Sequence, residues 1–249
     1  MKRQKINIDN YTNDELKKFS SEFMNGVKKL TSTYFIYNQY RNNYLKYHEE
    51  ISISPAFYNI VNDSLFDSMI ITASKLFDST YEAISIKKLL DHLNKAPNNA
   101  IIKFNKKITI NIKTNYAKKY FSSDNQNLGL TGIGVRITIG AYFKYLKSYF
   151  EDELSDSVKK LKKQRNKIFV HSDPKAIITG VKKVAEEFAI PIKDFERLIQ
   201  FSSEFCVFLE AIYTDINRAT VPSNIDDWEN TLNLVRIGQQ TLNPTPQDK

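Results

Sequence analysis

A long amphipathic stripe near the start of the chain limits the fold more than any other feature. After Thr12, apolar and aromatic residues recur at steps of three and four over about six turns, which is the spacing of one helix face. The stripe consists of Leu16, Phe19, Phe23, Val27, Leu30, Tyr34 and Tyr37. Thr12 and Glu15 match a capping box, in which each side chain accepts an N–H of the first turn. The pattern predicts a long helix that begins at this box.

Helical spacing recurs in four further segments before a short amphipathic stretch at Trp228–Leu242. They are Pro55 to about Thr80, Ile86 to Lys95 between the N-cap Ser85 and Pro97, about Ala141 to the Ser172-Asp173-Pro174 break, and Pro191 to Pro222. Only 7 glycines and 7 prolines interrupt the 249 residues, which favours long helices over a turn-rich β-sandwich. We therefore predict an all-α fold, a single bundle of long antiparallel helices over residues 1–242, with a disordered tail at 243–249.

The apolar stripes of these segments are the candidate core. The predicted members are Phe57, Val61, Leu65, Met69, Thr72 and Leu76, then Phe143, Leu146, Phe150, Leu154, Val158 and Leu161, then Phe195, Leu198, Phe205, Leu209, Ile212 and Ile216. Tyr40, Tyr44 and Tyr47 follow the first stripe. Their rings could stack on nucleic-acid bases, but core or dimer contacts are the favoured interpretation.

Residues 98–140 break the helical pattern and are predicted to be an insertion, partly β or irregular. Ile108, Ile110 and Ile112 alternate with polar residues, which is a strand period, and Ile101–Phe104 is the expected hairpin partner. The glycines between Gly129 and Gly134 lack the Gly-Lys-Ser/Thr of a phosphate loop, so no nucleotide site is expected there.

Several classes of protein are excluded by composition. The single cysteine, Cys206, rules out an internal disulfide and a cysteine-based zinc site, and its apolar surroundings favour a buried, inert thiol. No apolar run reaches the roughly 18 residues of a membrane span, and Met1–Asn10 lacks the apolar core of a signal peptide. We expect a cytoplasmic protein without a cofactor. The net charge of +8 is compatible with a polyanionic partner.

Arg165 occupies a position where the stripe after Leu161 calls for an apolar side chain. A buried guanidinium is costly unless it is paired. The tripeptide Leu-Phe-Asp occurs twice, and its Asp67 and Asp78 are eleven residues apart, so they share one helix face. This face could be solvated, or it could supply counter-charges to a basic helix. A salt bridge from Arg165 to Asp67 or Asp78 is the structural interpretation of this arginine.

His171 gives the same region a chemical interpretation. It lies six residues after Arg165 at a predicted helix end, where the helix dipole favours a protonated imidazole. Six residues span about 9 Å of helix axis, so one chain alone would hold Arg165 and His171 somewhat apart. A two-fold dimer that juxtaposes the two motifs would bring two arginines and two histidines into one cleft. Histidine can move protons and arginine can hold a phosphate, which suits RNA cleavage by the 2′-OH without a metal. The expected guides for the RNA backbone are Lys159, Lys160, Lys162, Lys163 and Lys167.

The segment Arg165–His171 resembles the Arg-x(4–6)-His motif of the HEPN superfamily, with Asn166 as the polar residue that often follows the arginine. Lys75–Asp78 and Ser85–Leu90 are similar to helices of its abortive-infection U-type branch. The resemblance covers about Leu16 to Ala219 without the insertion. It implies a helical homodimer whose motifs face each other and which cleaves RNA, with transfer RNA among the candidates, without metal. Arg165 and His171 would be catalytic and Asn166 supporting, in phage defence or a toxin–antitoxin pair.

Two alternatives remain open at the level of sequence. The chain could be a non-catalytic HEPN-like module that binds RNA, a nucleotide or a protein, with Arg165 as a structural ion pair. It could also be a toxin that is silent until an antitoxin protein releases it.

Overall fold

The computed structural model describes residues 11–78, 85–95, 107–110, 135–169, 189–213 and 227–242. The helices are α1 (Asn13–Asn43), α2 (His48–Ser52), α3 (Pro55–Phe77), α4 (Ile86–Lys95), α5 (Ile139–Tyr149), α6 (Ser155–Phe169), α7 (Ile192–Tyr213) and α8 (Asp227–Leu242). A π-helical turn, Phe150–Leu154, joins α5 to α6, and the two strands are β1 (Lys107–Ile110) and β2 (Val135–Thr138). The prediction of an all-α bundle with a small β insertion is confirmed.

The capping box at the start of α1 forms as predicted. The Thr12 N–H donates to Glu15 Oε2 at 2.7 Å, and the Glu15 N–H donates to Thr12 Oγ1 at 3.3 Å. All the predicted stripe residues of α1 are buried except Phe19, which is half-buried. Tyr40 and Tyr47 are buried as well, whereas Tyr44 is exposed. The α1 pattern therefore describes a true core face.

Only the second half of the predicted α3 stripe lies in the core. Met69 and Leu76 are buried, but Phe57 is 58% exposed. The C-terminal half of α3 packs among α1, α6 and α7, and Gly26 of α1 leaves room for Leu76 to approach closely. The prediction was wrong for the N-terminal half because a helical period alone does not show how far neighbouring helices extend.

The stripe from α5 into α6 is buried throughout, from Phe143 to Leu161. It includes three successive four-residue steps, from Leu146 to Val158. In a regular α-helix, the side chains at these positions would drift by about 120° around the axis. The π-helical turn at Phe150–Leu154 accommodates an extra residue and keeps these side chains on one face. The run of four-residue steps is visible in the sequence, but the prediction treated the segment as regular α-helix.

The β insertion is confirmed in part. β1 pairs with β2 in an antiparallel register that runs from Lys107 opposite Thr138 to Ile110 opposite Val135. The strand at Ile108 and Ile110 was predicted. Its partner among the described residues is β2, at the far end of the insertion, and a local strand period does not reveal a partner so distant in sequence. Thr138 then caps α5 by accepting the Ala141 N–H. Ile101–Phe104, Ile112 and Gly129–Gly134 lie outside the described residues.

Two apolar clusters hold the described helices together. The main core is formed by α1, the second half of α3, α4, α5, α6 and α7. A smaller cluster contains Tyr40, Tyr47, Ile51 and Leu232, with Tyr58 and Trp228 packed against it. Cys206 is buried in the main core, and this burial raises the pKa of its thiol, as expected for an inert cysteine. Within the described residues, we find no helix with the length and apolar character of a membrane span.

The predictions for the remaining segments, mostly towards the C-terminus, lie only partly within the described residues. α7 starts directly after Pro191, and its predicted stripe from Phe195 to Ile212 is buried. α8 matches the predicted segment at Trp228–Leu242 to within one residue. Pro97, Ser172–Pro174, Ile216, Pro222 and the tail at 243–249 lie outside the described residues, and the single-domain boundary at 242 stays a prediction.

Candidate functional site

Arg165 of α6 forms an ion pair with Asp78, the residue directly after α3. Arg165 Nη1 lies 3.0 Å from Asp78 Oδ2, and the side chains are 28% and 16% exposed, respectively. The backbone of Asp78 is extended rather than helical. Asp78 therefore lies beyond the last turn of α3, where its carboxylate contacts Arg165 of α6. Of the two carboxylates proposed from sequence, Asp78 is the one that contacts the arginine. The interpretation of this face as a source of counter-charge is confirmed for Asp78.

Arg165 is half-buried, at the edge of the stripe and not within it. Gln164 takes the buried position, and its Oε1 accepts the Ile190 N–H at 3.2 Å, which ties α6 to the chain leading into α7. The expectation of a buried arginine within the stripe was therefore wrong, whereas the expected pairing with a carboxylate is present. Both Gln164 and Arg165 fit a step of three or four from Leu161, and only the packing of α6 decides between them.

Asn166 completes the support of the guanidinium. Its Oδ1 accepts hydrogen bonds from Arg165 Nε and Nη2, both at 3.1 Å, although Asn166 itself is exposed. Asp78 and Asn166 thus hold the arginine from two sides. A planar guanidinium fixed in this way has a defined orientation, which is a requirement for bidentate recognition of a phosphate.

Two lysines share the electrostatic environment of Asp78. Lys162, one turn before Arg165, and Lys88, in the first turn of α4, are both half-buried. Burial lowers the pKa of each ammonium, and the negative charge of Asp78 acts in the opposite direction. Arg165 and Lys87 lower the pKa of Lys162 further. Positive charges from two helices, α4 and α6, therefore couple to Asp78. Sequence reasoning missed Lys88 because it is distant from Arg165 along the chain.

Two of the other predicted RNA-binding lysines form ion pairs with nearby carboxylates. Lys159 pairs with Asp156 at 2.9 Å, and Lys160 approaches Asp194 of α7 at 3.5 Å. Lys163 is exposed. Lys167 lies on α6, but its side chain is outside the described part of the structure, as is the whole of His171. The structure therefore brings together Arg165, Asn166 and Lys162 of the predicted set.

Comparison with known proteins identifies the family. A family model described as AbiU2, a HEPN family, matches residues 13–231, from the first residue of α1 into α8. The chain belongs to the HEPN AbiU2 family. No curated protein and no solved structure matches it. The matched range includes the insertion at 98–140, which the resemblance seen in the residues had left aside. Family membership suggests a ribonuclease-like or abortive-infection module.

Proposed function

We propose that this HEPN AbiU2 protein is a metal-independent endoribonuclease that acts in phage defence or as the toxin of a toxin–antitoxin pair. The observation that carries the proposal is Arg165, held by Asp78 and Asn166 at the start of the Arg-x(4–6)-His motif. The proposal is supported by the family match, whose range of residues 13–231 includes positions 165–171. Defence is the role that the family name suggests.

In the proposed reaction, the 2′-OH of the RNA attacks the adjacent phosphorus. His171 takes the proton from the 2′-OH, the new 2′-O–P bond forms, and the P–O5′ bond breaks. A second imidazole, from the partner copy, returns a proton to the leaving 5′-oxygen. The products are a 2′,3′-cyclic phosphate and a 5′-OH end. The nucleophile belongs to the RNA, so the reaction needs no metal-activated water.

Arg165 would stabilise the charge that develops on the phosphate. A guanidinium has five N–H donors, and the contacts with Asp78 and Asn166 use three of them. The other two are suited to a non-bridging phosphate oxygen, where charge grows in the transition state. Asp78 and Asn166 would be positioning residues, since they act through Arg165. A homodimer with facing motifs would supply the second histidine.

The direct test is cleavage of total and transfer RNA by the purified full-length protein in EDTA. We expect His171→Ala to reduce cleavage by at least about a hundredfold, the usual cost of removing a general acid or base. His48→Ala is the matched control, because His48 is exposed on α2 and distant in sequence from the motif. Cleavage that survives His171→Ala, or that stops in EDTA, would contradict the proposal.

A second candidate function has one observation in its favour. The Arg165–Asp78 pair can be a structural ion pair of a non-catalytic binding module, since Asp78 already neutralises the guanidinium. Under this alternative, the wild-type protein binds RNA or a partner and cuts nothing. Arg165→Lys separates the two: it keeps the charge and loses the planar fork, so it impairs catalysis but preserves simple charge pairing.

A further inference from the structure

We propose that four cations of α6 and α7 form a second contact surface for the RNA backbone, which continues from Arg165 across α6 onto α7. They are Lys160 and Lys163 of α6 and Lys193 and Arg197 of α7, here called the α6–α7 strip. This inference rests on the proposed function, because it assigns a further contact surface to the same substrate. It adds α7, a helix for which the sequence predicted core residues only.

The start of α7 runs alongside α6 in the opposite direction. Gln164 Oε1 accepts the Ile190 N–H at 3.2 Å. One turn earlier on α6, Lys160 Nζ lies 3.5 Å from Asp194 Oδ2. Arg197 Nη1, one turn further along α7, lies 3.8 Å from Asp194 Oδ1. A single carboxylate at the junction of the two helices therefore contacts a cation from each of them.

Lys163 and Lys193 widen this surface. Lys163 follows Lys160 by three residues, and Lys193 precedes Arg197 by four, which are the spacings of neighbouring side chains on a helix surface. All four cations are exposed, and the side chains of Lys160 and Arg197 are 51% and 52% exposed, respectively. Their positive charge is thus open to a partner in solution.

The strip carries more positive charge than Asp194 neutralises. Lys160 and Arg197 share this one carboxylate, and both distances are long for an ion pair. Within the part of the chain that the structure describes, Lys163 and Lys193 form no ion pair. An exposed surface of one sign attracts a polyanion, and lysine and arginine are the side chains that bind its phosphates.

The other acids of these helix turns do not restore the balance. Asp156 of α6 pairs with Lys159 at 2.9 Å. Glu196 of α7 accepts a hydrogen bond from the Tyr34 hydroxyl of α1. Even with Glu153 of the preceding π-helical turn included, the four cations of the strip stand against two carboxylates.

The position of the strip around α6 favours RNA as the polyanion. At about 100° per residue, Lys160 and Arg165 lie about 140° apart across the buried side of α6, so the outer side joins them over about 220°. Lys163 and Asn166 lie on this outer side, and both are exposed. A strand whose phosphate binds at Arg165 would cross the outer side of α6, pass Lys163 and reach α7. The strip would then supply affinity for the backbone next to the proposed cleavage site.

The test measures RNA affinity and its salt dependence. Fluorescence anisotropy with a labelled single-stranded RNA, over a series of KCl concentrations, uses full-length protein carrying His171→Ala so that the probe survives. We expect Lys193→Gln and Arg197→Gln each to weaken binding several-fold. Each should reduce the magnitude of the slope of log K against log salt by about 0.7, the value for one phosphate contact on a single strand. Arg197→Lys should retain the slope, because it retains the charge.

Asp194→Asn should change the affinity in the opposite direction. It removes the carboxylate that competes with phosphate for Lys160 and Arg197, so RNA affinity should rise several-fold. Lys144→Gln is the matched control for the lysine variants, because Lys144 is exposed on α5, about four turns before Lys160, and its loss removes the same charge. Thermal melts of all variants exclude loss of folding as the cause.

Slopes equal to that of the parent protein for both Lys193→Gln and Arg197→Gln would overturn the strip. If the wild type cleaves RNA in that case, the proposed function stands. Reduced slopes with a wild type that cleaves nothing would support the strip and contradict the ribonuclease. Labelled polyglutamate is the second probe: if the two variants lose affinity for it and keep their affinity for RNA, the strip binds an acidic protein and the RNA path is overturned.

Discussion

The N-terminal end of α3 borders the small cluster that holds α8, whereas its C-terminal end enters the main core and presents Asp78 to Arg165. At the core end, Phe77 packs against the rings of Phe150 and Phe201, which also contact each other. At the other end, Phe57 and Ile60 are exposed. About 33 Å of helix separates the two ends. The charged site is thus built on the most closely packed end of the helix, and closely packed elements hold functional groups in place.

The α8 end relies on polar contacts instead. Arg236 donates to the buried Glu50, Lys46 pairs with Glu229 at 2.6 Å, and the Tyr47 hydroxyl donates to Glu229 at 2.7 Å. Leu232 is the one buried apolar side chain among the described residues of α8. Elements with few buried apolar contacts open at lower free energy than the core. We therefore expect α8 to detach while the site at the other end of α3 remains intact.

The largest expected effect comes from a cavity at the core end. Phe201→Ala removes a fully buried ring that contacts Phe77, Tyr149 and Phe150. It should lower the free energy of unfolding by about 3–5 kcal/mol, as measured by urea denaturation followed by far-UV circular dichroism. Phe57→Ala, at the exposed end of α3, is the control and should cost well under half of that. Equal losses of unfolding free energy for both variants would contradict the difference in packing between the two ends of α3.

The next effect tests whether α8 is an independent unit. Trp228 is the only tryptophan of the chain, and it packs against Tyr40 and Tyr47, so its fluorescence reports on the docking of α8. Leu232→Ala should lower the free energy of α8 detachment by about 2 kcal/mol. The tryptophan transition in urea should move to lower concentration, and the circular dichroism transition should stay in place.

Leu234→Ala, an exposed position on the same helix, should move neither transition. If Leu232→Ala shifts both transitions together, α8 unfolds with the core and the two regions form one cooperative unit.

A third prediction concerns Asp78 as a positioning residue. Asp78→Asn should reduce cleavage about tenfold, because Arg165 loses a charged hydrogen-bond partner. The same change removes the negative charge next to Lys88 and Lys162, so RNA affinity should rise. A purely structural defect would weaken both activity and affinity, and that result would contradict the assignment. Asp63→Asn, at an exposed position on α3, should leave both unchanged.

The smallest effect is the pH dependence of α8 docking. Hydrogen bonds from Arg236 and Lys46 hold the pKa values of Glu50 and Glu229, respectively, below the ordinary value of 4.5. A lowered pKa in the folded state means that the contribution to docking is present above pH 4.5 and is lost as the pH falls through the folded pKa.

Trp228 fluorescence should therefore report easier detachment of α8 in acid. The double variant Glu50→Gln, Glu229→Gln should show a flatter pH profile and weaker docking at neutral pH. An acid response of the same size in this variant would assign the pH dependence to other groups.

The sequence predicted the local features of the fold with success. The capping box at Thr12 and Glu15 and the bounds of α4 were correct, because caps and helical periods involve residues a few positions apart. The exposed end of α3 and the pairing of β1 with β2 were missed. Both depend on which elements become neighbours in the folded chain, and no local pattern contains that information.

The candidate site was predictable to a similar degree. Arg165, Asn166 and Lys162 were found from a motif and from charge, and a carboxylate partner was expected at Asp67 or Asp78. The choice of Asp78 depends on where α3 ends relative to α6, and Lys88 depends on the packing of α4 against α3. Lys159 and Lys160 were predicted as RNA guides from charge alone, and their pairing with Asp156 and Asp194 depends on side-chain geometry that the charge pattern does not contain.

The most direct test of the central claim compares one RNA with its 2′-O-methyl copy, both incubated with the full-length protein in EDTA. The proposed reaction uses the 2′-OH as the nucleophile, so the methylated copy should stay intact while the RNA is cut. The fragments should carry 2′,3′-cyclic phosphate and 5′-OH ends. Cleavage of the methylated copy, or fragments with 3′-OH and 5′-phosphate ends, would contradict a HEPN-type ribonuclease centred on Arg165.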